Sequence, residues 1–143
     1  MSTDHDRPRG EMLSSISTGL VQLHSRYYGK GPTKAKTYLL DDTVICLLRG
    51  GFTRVECTLI DEGEAHAVHQ IRRSFQKAME GQFREIIESA TGRSVIAYMS
   101  QVHEDSELAL EVFVLEPVPE GTEPEEDGDG AVREEDLPAA EPG

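Results

Sequence analysis

Residues 36–56 read KTYLLDDTVICLLRGGFTRVE, and their patterning decides the fold. Two β-rich runs, 37–40 and 43–48, flank Asp41-Asp42. Short strands around a two-residue acidic turn predict a β-hairpin. In the second run Val44, Cys46 and Leu48 alternate with Ile45 and Leu47, so both faces are apolar. Such a strand belongs at the centre of a sheet, covered at least in part on both sides. After Gly50-Gly51 the pattern switches to a helix start. Thr53 is the N-cap and Glu56, three residues on, its capping-box partner. Phe52 before the cap and Cys57 at the staple position pack across that turn. Gly63 closes the short helix.

Helical patterns lie on both sides of this unit. Upstream, from Glu11, Leu13, Ile16, Leu20, Leu23 and Tyr27 recur at spacings of three and four and share one face. Gly29 suits a C-terminal cap, and Pro32 cannot continue the helix. Downstream, residues 64–90 carry one stripe of Val68, Ile71, Phe75, Met79, Phe83, Ile86 and Ala90. Glu80–Arg84 and Arg84–Glu88 are opposite charges at i,i+4 on its polar side. About 27 residues at 1.5 Å each make a helix of roughly 40 Å. That exceeds what a small sheet needs, so a kink near Gly81 or a projection towards a partner is expected.

Gly92 ends this helix, and a second hairpin follows. Val95, Ala97 and Met99 alternate with Ile96, Tyr98 and Ser100. Beyond a polar turn at His103 to Ser106, Leu108, Leu110, Val112 and Val114 alternate with Ala109, Glu111, Phe113 and Leu115. The expected fold class is α+β. It is a two-layer domain in the order α-ββ-α-α-ββ, with a four-stranded, mainly antiparallel sheet backed by helices. The domain should span residues 10–116. Residues 1–9 are polar and expected to be disordered. Residues 117–143 are Pro, Gly and acid with almost nothing to bury, and read as a disordered acidic tail.

The formal charge of −13 is unevenly spread. Residues 116–143 contribute −10 and residues 1–115 only −3. Affinity for phosphate backbones is built from many Lys and Arg contacts, so no nucleic-acid partner is expected. The two cysteines, Cys46 and Cys57, sit in predicted regular elements beside apolar neighbours. They read as small hydrophobes in a reducing compartment. The start, MSTDHDRPRGEM, lacks the apolar core of a signal peptide. No apolar run approaches the ~20 residues of a membrane span. A cytoplasmic protein is expected.

Several side-chain groups invite a chemical reading. In YYGKGPTKAK, residues 27–36, glycines and lysines share one loop. A phosphate-binding P-loop requires a strand before and a helix after, and here the order is reversed. What stays open is a nest of backbone N–H groups with Gly29, Lys30, Gly31, Lys34 and Arg93, binding an anion or a partner, against a plain helix stop and turn. Arg72, Arg73 and Lys77 form a basic helix segment, a candidate partner surface or a solvated face. His66 and His69 have i,i+3 spacing that metal ligands use, but no further ligand motif accompanies them. No Gly-x-Ser-x-Gly elbow and no His-Glu-x-x-His is present. No enzymatic activity, cofactor or metal is expected.

Taken in order, YGKGP, TYLLDDTVICLLRGGFTRVE, VHQIRRSFQKAMEGQFREIIESATGRSVIAYMSQ and LALEVFVLE resemble the MpsC-like family. These are small bacterial proteins of unknown function. Their name comes from a cation-translocating, membrane-potential-generating system, and related membrane systems are implicated in inorganic-carbon uptake. The resemblance covers about residues 12–116. Matching positions include Tyr28 to Pro32, Thr53, Glu56, Arg73, Phe75, Gly92, Arg93, Ser100 and Glu111 to Leu115. Phe52 departs from the pattern, where Leu is expected. The resemblance implies an accessory component without established catalytic residues. It would dock peripherally on a membrane transporter subunit. Self-association through the long helix or a sheet edge is the other expected contact.

Overall fold

The first hairpin forms as its alternation requires. In the computed structural model, which describes residues 2–118, β1 spans Lys34–Leu40 and β2 Thr43–Arg49, paired antiparallel across Asp41-Asp42. Asp41 takes φ 53°, a left-handed conformation that Asp tolerates better than most residues. The complete order is α1 (Ser2–Tyr28), β1, β2, α2 (Arg54–Asp61), α3 (Ala65–Thr91), β3 (Val95–His103) and β4 (Leu108–Leu115). The sheet runs β1-β2-β4-β3, antiparallel throughout. This is the expected two-layer α+β architecture, with β2 central beside β4.

The local signals act where the sequence puts them. Thr53 and Glu56 form a reciprocal capping box at α2. Gly92 adopts φ 72° and caps α3, its N–H donating to the Glu88 carbonyl. α3 runs as one continuous helix through Gly81. Helix α1 begins at Ser2, within the stretch 1–9 that was expected to be disordered. Arg9 helps hold this end, donating to the Leu39 carbonyl of β1. The acidic tail expected over 117–143 lies, from residue 119 on, outside the described residues.

The core forms between the helices and one face of the sheet. Ile16 and Leu20 of α1, Phe83 and Ile87 of α3, and Val44, Leu48 and Phe113 of the sheet are buried there. The predicted helical stripes face the core except at Tyr27 and Ile71, and polar residues join them on one flank. On α3, Arg72 and Gln76 are buried and Ile71 is exposed. On α1, His24 is buried and Tyr27 exposed. The Arg84–Glu88 pair does not form, because the Glu88 carboxylate accepts the Val95 N–H, while Arg84 keeps Glu80 at 3.0 Å.

The register sorts the sheet into two faces. Towards the helices point Thr37, Cys46, Glu111 and Ser100 in one row and Leu39, Val44, Phe113 and Tyr98 in the next. The irregularity between Val95 and Ala97 also brings Val95 inward. The outward rows are Lys36, Leu47, Leu110, Gln101 and Tyr38, Ile45, Val112, Met99. In β4 the inward row therefore contains a glutamate, and the row without any polar residue faces away from the helices. Among the described residues, the expected double cover of β2 is found on the helix side only.

Candidate functional site

The motif-rich segments converge at one end of the domain, where β1 begins and β2 ends. Tyr28 closes α1, and the loop 29–33 crosses to β1. Thr33 N–H donates to the Arg49 carbonyl at 2.8 Å, docking the loop on the end of β2. The Gly50-Gly51 turn packs directly beneath. A Cβ on Gly51, which has φ 84°, would lie 2.7 Å from the Gly31 carbonyl and from Pro32 N. Only glycine permits that approach.

Below the two glycine segments lies a buried ion pair. Arg72 is 4% exposed and donates to both oxygens of Glu56, each at 2.7 Å. Its guanidinium stacks between the Phe52 and Tyr28 rings, at 4.0 and 4.3 Å from their centroids. Glu56 also receives the Tyr28 hydroxyl and the Thr53 N–H. Burial alone would raise the Glu56 carboxyl, but the hydrogen bonds from Arg72, then Tyr28, hold it below the usual range. Burial raises Tyr28, so it stays protonated. The cluster fixes the chain on both sides of Lys30. Lys30 itself is exposed at the loop tip, and neither it nor Lys34 has an ion-pair partner among the described residues.

The predicted site residues separate in space. Gly29, Lys30, Gly31 and Lys34 stay together. Arg93 does not join them, because it pairs with Asp42 at 2.5 Å and with the Glu116 carbonyl at the opposite end of β1. Arg72 leaves the proposed basic surface for the buried pair, while Arg73 and Lys77 remain exposed on α3. His69 contacts Glu104 at 2.7 Å, and His66 lies exposed 3.9 Å from Glu64. Among the described residues no three His, Cys, Asp or Glu side chains gather as a metal site would require.

A second polar cluster sits mid-sheet. Glu111, fully buried, accepts the Tyr98 hydroxyl at 2.6 Å and faces Gln76 at 3.4 Å. Burial raises its carboxyl to about 7. The Ser100 hydroxyl has no hydrogen bond of ordinary geometry but lies near enough to bear on that carboxyl. Beside it Cys46 contacts Thr37, which contacts Ser17. Burial pushes the Cys46 thiol up to about 11, so it is not a poised nucleophile. The sequence signal for this cluster was one glutamate in an otherwise apolar row of β4. Two clefts of about 590 and 640 Å³ flank α1, and Lys30 and Lys34 line neither.

A family model described as "Na+-translocating membrane potential-generating system (MpsC)" matches residues 8–117. No curated protein and no solved structure matches the chain.

Proposed function

The chain belongs to the MpsC family, and from that premise we propose that it is a non-enzymatic accessory domain docking on a subunit of a cation-translocating membrane system. The observation that carries this reading is the Gly29–Lys34 loop. It is exposed, cationic and pre-ordered by the buried Arg72–Glu56–Tyr28 cluster, in a domain whose balance is otherwise acidic. A pre-ordered loop loses little conformational entropy on binding. Lys30 would meet an acidic patch on the partner. No helix among the described residues is long and apolar enough to cross a membrane, so attachment would be peripheral.

Affinity capture of the full chain from native membranes tests this. A membrane subunit should be recovered with the wild type, and recovery should fall about tenfold with Lys30→Glu, as for a charge reversal at a complementary interface. Circular dichroism should show the variant folded. Equal recovery with both chains, or capture of non-membrane proteins alone, defeats the reading. The other reading, a small anionic ligand at the same two lysines, predicts instead that inorganic phosphate raises the melting temperature of the wild type but not of Lys30→Ala.

A further inference from the structure

The outward sheet face is the least explained surface of the molecule. Its centre is Tyr38, Ile45, Leu47, Leu110, Val112 and Met99, with Met99 54% and Leu110 37% exposed. Four strands about 4.8 Å apart and about seven residues long give a footprint of roughly 400 Å². That is the scale of the largest apolar patch on an ordinary monomer, and such a patch is often functional. The preference is written into β4, which spends a buried glutamate on the helix side and keeps its wholly apolar row outside.

Charge distinguishes the occupant. One end of the face is basic on the β1–β2 side, with Lys36 and Arg49 exposed. The same end is acidic on the β3–β4 side, where the turn carries Asp105 and Glu107, while Glu104 is held by His69 of α3. A twofold axis parallel to the strands lays β1 of one copy over β3 of the other, and β2 over β4. Each basic side then meets the partner copy's acidic turn, and the contact occurs twice. The alternative axis, across the strands, would bring the basic end to the Asp41-Asp42 turn, but Asp42 is already paired with Arg93. The 119–143 segment suits the face poorly. It carries ten acids and only five apolar residues, Ala131, Val132, Leu137, Ala139 and Ala140.

We propose that two copies of this chain pack these open sheet faces together as a twofold dimer, a β-sandwich flanked by helices. Aligned sheets pack about 10 Å apart with their strands within about 30° of each other. Ile45 and Leu47 of one copy fill the centre against Leu110 and Val112 of the other. Lys30 lies in the loop beyond this face, so the dimer and the docking reading stand or fall separately.

Sedimentation equilibrium of the full chain at micromolar concentration should give twice the chain mass. Val112→Glu should give a monomer. Arg49→Asp and Asp105→Lys, both at exposed positions at that end, should each weaken the dimer by about tenfold, and together restore it to within about threefold. Lys30→Glu should leave it unchanged. A monomeric full chain overturns the proposal, as does a dimer indifferent to Val112→Glu or to the charge exchange. So does a chain that dimerises only once residues 119–143 are removed, which would make that segment the cover.

Discussion

Glu111 and Arg72 are both buried charged residues, and they meet burial in opposite ways. Arg72 has a full-strength partner and stacking rings on both sides, so its charge is retained. Glu111 has only Tyr98 and Gln76 as donors, with Arg72 a more distant cation, and its pKa rises from 4.5 to about 7. The native state therefore holds the proton more tightly than the unfolded chain. Stability from this group is full below about pH 4.5 and lost as pH rises through about 7, an effect of up to roughly 3 kcal/mol. Glu111→Gln should raise the melting temperature at pH 8 and flatten its decline between pH 5 and pH 8. Parallel curves for wild type and variant would show the carboxyl to be ionised at neutral pH. His24 works in the other direction, because burial lowers its pKa and its contribution is lost as pH falls. The difference between the two chains removes that background.

At the scale of elements, α3 and the glycine turn place opposite demands on the same residue type. Gly81 lies within α3, and a Cβ there would meet nothing within 4 Å. Gly81→Ala should stabilise by about 0.5–1 kcal/mol, read as a higher denaturant midpoint with unchanged slope. Gly51 combines φ 84° with backbone atoms 2.7 Å from any Cβ. Gly51→Ala should cost at least about 2 kcal/mol, since the obstruction is another backbone and not a movable side chain. A lower midpoint for the Gly81 variant, or no effect at Gly51, would contradict these packing assignments. The one departure from the α3 stripe, at Ile71, has a tertiary origin. Arg72 is drawn under the Gly50-Gly51 turn by Glu56, and Ile71 moves outward as a consequence.

Across the whole molecule, α1 and α3 share one core with all four strands. Residues from α1, α3 and every strand contribute to one apolar cluster. Tyr28 and Tyr98 report from different parts of it, beside the Arg72 pair and beside Glu111. Unfolding should therefore be one transition, with near-ultraviolet tyrosine and far-ultraviolet circular dichroism curves superimposing at a fixed protein concentration. Separated midpoints would show that α1 or the first hairpin melts on its own.

The sequence by itself determined the elements and their order. The hairpin turns, the Thr53–Glu56 capping box and the Gly92 cap are decided by residues a few positions apart, and such short-range physics is written in local pattern. The identity of the loop lysines as a pair was legible for the same reason. Only the tertiary structure decided which face of each strand met the helices, and that Arg72, Gln76 and Glu111 were inside. A polar group is buried when its partners arrive, and these come from 13 to 35 residues away. Arg93 shows the same limit, since its partner Asp42 is 51 residues distant and pulls it to the far end of the sheet. Period-two alternation fixes that a strand has two faces, but with apolar residues on both it takes the packed helices to choose between them.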